Sequence, residues 1–155
     1  MRYLILLILV IVGIFHMAGA IEFNDNLQNA VERYNNNLDK APKAIENLLK
    51  NEDVSIAISK DDGSLLRWGF EIKNARIVSY ALGGLKNPTI EVYATENAIN
   101  DVLNAVDPAA SYLNAEKAGN IEIKGKTLGS SLQLRTALIN SDDIILFLGL
   151  INISI

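Results

Sequence analysis

From Val54 to Ala94, apolar and polar residues alternate in short runs separated by turn residues. Val54, Ile56 and Ile58 alternate with Ser55, Ala57 and Ser59. Leu66, Trp68, Phe70 and Ile72 alternate with Arg67, Gly69, Glu71 and Lys73. A period of two predicts strands with one buried face. Asp61-Asp62-Gly63-Ser64 reads as the turn of a hairpin between them, because glycine tolerates the positive φ of a tight turn. Lys73-Asn74-Ala75-Arg76 turns the chain into a third strand, Ile77 to Leu82. Gly83-Gly84 and Asn87-Pro88 break it, and Thr89 to Ala94 makes a fourth. Short connections between successive strands favour antiparallel neighbours.

On either side the period lengthens. Leu27, Ala30, Val31, Tyr34 and Leu38 recur at three- and four-residue steps, an amphipathic helix with Asp25 or Asn26 as cap. Asn35-Asn36-Asn37 lowers its helix propensity, and Pro42 starts a short second helix with Ile45, Leu48 and Leu49 on one face. After the fourth strand, Thr95 caps a helix whose Ile99, Val102, Leu103 and Val106 share a face. Asp107-Pro108 restarts the chain as a helix with Ala109, Tyr112 and Leu113 inward, and Gly119 ends it in a left-handed conformation. Asn120 to Lys124 alternates as a fifth strand, and Thr127 caps a last helix carrying Leu128, Leu132, Arg135 and Leu138. The pattern predicts an α+β fold, a mainly antiparallel five-stranded sheet with helices packed on one face.

The two ends are more apolar than the middle. Arg2, the run from Tyr3 to Phe15 and the small residues Ala18-Gly19-Ala20 fit a secretory signal cut after Ala20, or an uncleaved N-terminal membrane anchor. Either places the globular part outside the cytoplasm, secreted or held at a membrane. The tail from 141 to 155 opens on Ser141-Asp142-Asp143, a helix start, and continues through Ile144, Ile145, Leu146, Phe147, Leu148, Leu150 and Ile151 with no polar face. Such a patch marks an interaction. A lid, a membrane contact and an edge strand are the three readings. Asn152-Ile153-Ser154 matches a glycosylation sequon that chance explains in so apolar a tail.

The 155 residues make one domain, and the net charge of −4 carries no basic cluster that would mark nucleic-acid binding. Cysteine is absent, which removes disulfides, thiol catalysis and thiolate metal sites together. The single histidine, His16, sits in the leader. A mature chain would therefore lack both an imidazole base and a thiolate nucleophile. The adjacent acids Glu52-Asp53, Asp61-Asp62 and Asp142-Asp143 fall at turns and helix starts, where solvation or capping accounts for them. Gly83-Gly84 lacks the longer glycine pattern and the Lys-Ser/Thr of a phosphate loop. The sequence points to a non-enzymatic protein with no cofactor and no metal.

The order of elements from residue 27 to 140 resembles the sterol-transfer domain of the sterol carrier protein 2 family. The likeness rests on the strand Ile90-Glu91-Val92-Tyr93-Ala94, two helices with Ala115 and Ala118 near the end of the second, and Gly119. Ile121-Glu122-Ile123-Lys124-Gly125 and a helix with Leu128, Leu132 and Leu134 complete it. On residues alone, the sheet side chains Trp68, Phe70 and Ile72 and the helix side chains Ile99, Leu103, Val106, Leu113 and Leu132 form either a solid core or the walls of an apolar pocket. The resemblance favours the pocket, and it implies a domain spanning 21–140 that carries lipids or other apolar ligands between sheet and helices. It also implies a C-terminal lid, here the tail with Phe147. The alternative is an interaction module with a solid core that works through its surface.

Overall fold

The computed structural model describes residues 23–41 and 43–127. The leader expected at residues 1–20, the helix expected after Thr127, and the tail from 141 lie outside them. Two helices come first, α1 (Phe23–Asn36) and α2 (Lys43–Leu48), with a 3-10 turn at Leu38–Lys40 between them. The strands β1 (Asp53–Ser59), β2 (Leu65–Lys73), β3 (Arg76–Leu82) and β4 (Ile90–Thr95) follow. Then come α3 (Glu96–Leu103), α4 (Pro108–Lys117) and β5 (Ile121–Gly125). The architecture is α+β, as the residue pattern predicts.

The sheet order is β3-β2-β1-β4-β5, and the pairings are antiparallel except that of β1 with β4. This corrects the expectation that β4 pairs with β3 after a short connection. The chain instead leaves β3 at one edge and crosses β2 and β1 before re-entering beside β1. Residues 83–89 make that crossing, and hydrogen bonds anchor it to the strands beneath. Gly83 N–H donates to Arg67 O at 2.9 Å, Leu85 N–H to Ser55 Oγ at 2.8 Å and Thr89 N–H to Asp53 O at 2.7 Å. Gly69 makes the close passage possible, because a Cβ there would lie 2.6 Å from Leu85 Cγ. The positive φ of Gly83 (+99°) and Gly84 (+85°) turns the chain off the end of β3.

One face of the sheet carries the core. Register places Val54 between Phe70 and Ile90, Ile56 between Trp68 and Val92, and Ile58 between Leu66 and Ala94. Ile121 and Ile123 extend this face onto β5. α1 packs against β3 through Leu27, Val31 and Tyr34, all buried. Tyr34 Oη donates to Ala75 O at 2.7 Å. The Asn35 side chain exchanges two hydrogen bonds with the backbone of Ile77, at 2.9 and 3.0 Å, as a neighbouring strand would. α3 and α4 cover β4 and β5. The Thr95 and Asp107 hydroxyl and carboxylate cap these helices by accepting from Ala98 N–H and Ala110 N–H, and Gly119 has φ +75°, all as the sequence indicates.

Candidate functional site

The layer between sheet and helices is where sequence reasoning places the ligand. Trp68, Phe70, Ile72 and Ile99 are brought together there, none more than 4% exposed, with Leu113 half-buried against them. Val106 is a correction. It is fully exposed, because α3 stops at Leu103 with Asn104 as its C-cap, so the helical repeat does not reach residue 106. Leu132 and Phe147 lie outside the described residues, and Leu103 is placed here only as the last residue of α3.

Among the described residues the apolar face of the sheet runs beyond its helical cover at one corner. Leu82 stands opposite Trp68 and Tyr80 opposite Phe70, so both point to the core side. Tyr80 is half-buried, its ring 6.3 Å from the Trp68 ring at 53°. Leu66 is half-buried as well, and Leu82 is 68% exposed. This corner is an apolar rim leading to Trp68. The sequence reading missed Tyr80 and Leu82 because β3 carries a bulge opposite Glu71/Ile72. Ile77 faces the core before it, and Tyr80 and Leu82 face the core after it, so the parity of the strand changes midway. A three-residue step from Ile77 to Tyr80 inside a strand is the signal that would have found them.

Among the described residues Asn100 Oδ1 on α3 is buried without a hydrogen-bond partner, and Tyr112 Oη on α4 is buried beside the Glu116 carboxylate. Burial pushes the Tyr112 phenol up, and the Glu116 carboxylate one turn further on adds to the rise. That hydroxyl is therefore neutral and able to donate at physiological pH. Buried polar groups without partners are uncommon, and polar groups beside an apolar interior are what orient a ligand.

Glu52 departs from the sequence reading, which has its acid solvated at a turn. It is buried, and its carboxylate accepts from the Thr89 hydroxyl. Burial raises its carboxyl above the ordinary range, the Thr89 hydrogen bond opposes the rise, and Asp53 adds to it. A folded pKa above the unfolded one means that stability is fully present below the unfolded value and is lost as pH rises through the folded one. Glu52→Gln keeps an acceptor for Thr89 and removes the buried charge. The urea midpoint of this variant, measured relative to the natural chain, is expected to climb between pH 4 and pH 8; a difference that falls over that range would contradict the assignment. Among the described residues no cluster of acids and histidines is arranged to hold a metal ion, and no helix is long and apolar enough to cross a membrane.

No protein-family model matches the chain, and no curated protein matches it. The solved structures that it is similar to include sterol carrier protein 2, at 12% identity and a TM-score of 0.49 over 80% of this chain and 91% of that one. The apo form of sterol carrier protein 2 from Yarrowia lipolytica matches at 16% identity and a TM-score of 0.46, over 79% and 98% of the two chains. The palmitated sterol-carrier-like protein of Aedes aegypti matches at 15% identity and 0.36, over 61% and 93%.

Proposed function

We propose that this chain binds lipids or other apolar small molecules between its sheet and its helices, and that it works as an exported carrier rather than an enzyme. The observation that carries the reading is the uncovered corner of the apolar face, where Leu66, Tyr80 and Leu82 lead from solvent to Trp68. Transfer of an alkyl chain from water into such a layer contributes about 0.8 kcal/mol per methylene. A long tail therefore binds without specific polar contacts, and head-group selectivity is weak. Asn100 Oδ1, buried and without a partner among the described residues, and the buried Tyr112 hydroxyl beside Glu116 are the polar atoms nearest such a layer that a head group could use. The element order of the sequence resemblance also supports the reading, since β4, α3, α4, Gly119 and β5 occur in that order. Export rests on the leader pattern of residues 1–20, and a lid role for the apolar tail with Phe147 rests on the sequence resemblance alone, since the tail lies outside the described residues.

One observation favours the rival reading of a solid interior, namely that Trp68, Phe70, Ile72 and Ile99 are all closely packed. Native mass spectrometry and titration with a fluorescent fatty acid separate the two. A carrier is expected to co-purify with lipid, or to take up the probe at about one per chain with a shift in Trp68 emission. A clean apo mass with no probe uptake and unchanged Trp68 emission would leave the interaction module standing.

A further inference from the structure

The opposite face of the sheet holds a cleft that the carrier reading does not use. Register sets Ser55 and Ala57 of β1 between Gly69 and Arg67 of β2 on one side and Glu91 and Tyr93 of β4 on the other. The two small side chains of the central strand leave a trough between the taller Arg67 and Tyr93. The crossing loop closes one end of it with Gly83, Gly84 and Leu85. The cavity measures about 50 Å³. A single water needs about 10–15 Å³ on the same measure, so there is room for a group of a few heavy atoms. The end wall is tied to its surroundings by the Gly83–Arg67 and Leu85–Ser55 hydrogen bonds and by the seat of Leu85 on Gly69.

The charges of the cleft do not cancel. Glu91 is paired with Lys126, whose Nζ lies 3.0 Å from it. Glu122, beside Tyr93 on β5, is paired with Lys124 at 2.8 Å. Arg67 has no carboxylate partner among the described residues, so one positive charge is left over at the mouth of the trough. Ser55 Oγ accepts from Leu85 N–H, and its own hydrogen remains to be donated. The available donors are thus a guanidinium and a hydroxyl, while the nearby acids Glu91, which lines the cleft, and Glu122 are each offset by an ion-paired lysine. A group that only accepts hydrogen bonds and carries a negative charge fits that set, and a carboxylate suits the guanidinium fork best. Leu85, Ala57 and the Tyr93 ring supply apolar walls for a short substituent.

We propose that this outer cleft binds a small organic acid, with Arg67 pairing to its carboxylate, Ser55 donating to it, and a short apolar substituent lying against Leu85 and Tyr93. The test is a titration of the isotope-labelled full chain with sodium butyrate, followed by amide shifts, against sodium chloride at equal ionic strength. Saturable shifts at Ser55, Ala57, Gly84 and Leu85 with butyrate alone are expected. Arg67→Gln is expected to weaken binding about tenfold or more, and Arg67→Lys, which keeps the charge but not the fork, to fall between. Arg67 is exposed, so both variants should keep the urea midpoint of the natural chain. Shifts that do not saturate, that spread over surface lysines, or that survive Arg67→Gln would overturn the proposal. Fatty-acid probe uptake by Arg67→Gln is expected to be unchanged, so the two sites stand or fall separately.

Discussion

Phe70→Ala is expected to cost the fold about 3–5 kcal/mol, the range for truncating a buried aromatic side chain. Phe70 is fully buried in the middle of β2, with Val54 and Tyr80 opposite it on the same face and Trp68 and Ile72 two residues away on either side. Alanine would remove most of its contacts and leave a cavity that the neighbouring strands cannot close without shifting one another. Domains are stable by only about 5–15 kcal/mol in total, so the variant should unfold at far lower urea with an unchanged slope. Val106→Ala, made as the control, should move the midpoint by no more than about 0.5 kcal/mol, because that side chain touches solvent. Equilibrium urea unfolding of the two variants decides the matter. A cost below about 1 kcal/mol at Phe70 would mean that the interior beside it is not packed as described.

Gly69→Ala is expected to destabilise by about 1–3 kcal/mol, the range for forcing extra atoms into a packed site. The reason is close approach rather than backbone conformation. A Cβ at residue 69 would stand 2.6 Å from Leu85 Cγ and 2.8 Å from both Leu85 Cδ2 and Leu85 N. The side chain could swing away. The backbone nitrogen could not do so cheaply, since it donates to Ser55 Oγ. Leu85→Ala in the Gly69→Ala background should therefore recover only part of the loss. Because the same loop forms the end wall of the outer cleft, Gly69→Ala should also weaken butyrate binding. An unchanged unfolding midpoint for Gly69→Ala would place the crossing loop away from β2.

The strands were legible because each obeys a local rule. Leu66 to Ile72 alternates so regularly that its buried face could be named residue by residue, and the caps at Thr95, Asp107 and Gly119 announce the helices that follow. The candidate site was legible only where that periodicity continued unbroken. Trp68, Phe70, Ile72 and Ile99 fell on the buried side as expected. Val106 did not, because a helix that stops three residues earlier cannot carry its stripe further. Tyr80 and Leu82 were hidden by a bulge, an insertion that reverses inside and outside without leaving a mark on composition. Glu52 looked like a turn acid, and the hydroxyl its buried carboxylate accepts from belongs to Thr89, which lies 37 residues further along the chain.

By itself the sequence determined the kind and order of the elements, the apolar side of most strands, and the absence of thiol chemistry. Those properties follow from neighbours a few residues apart, whose spacing sets period, cap and turn. Only the tertiary structure decided that β4 lies parallel to β1, that a loop crosses the outer face over Gly69, and that Arg67, Ser55 and Tyr93 border one cleft. Each of these joins residues far apart in the chain. Which distant strands become neighbours is settled by burying whole faces at once, and no local pattern encodes that choice.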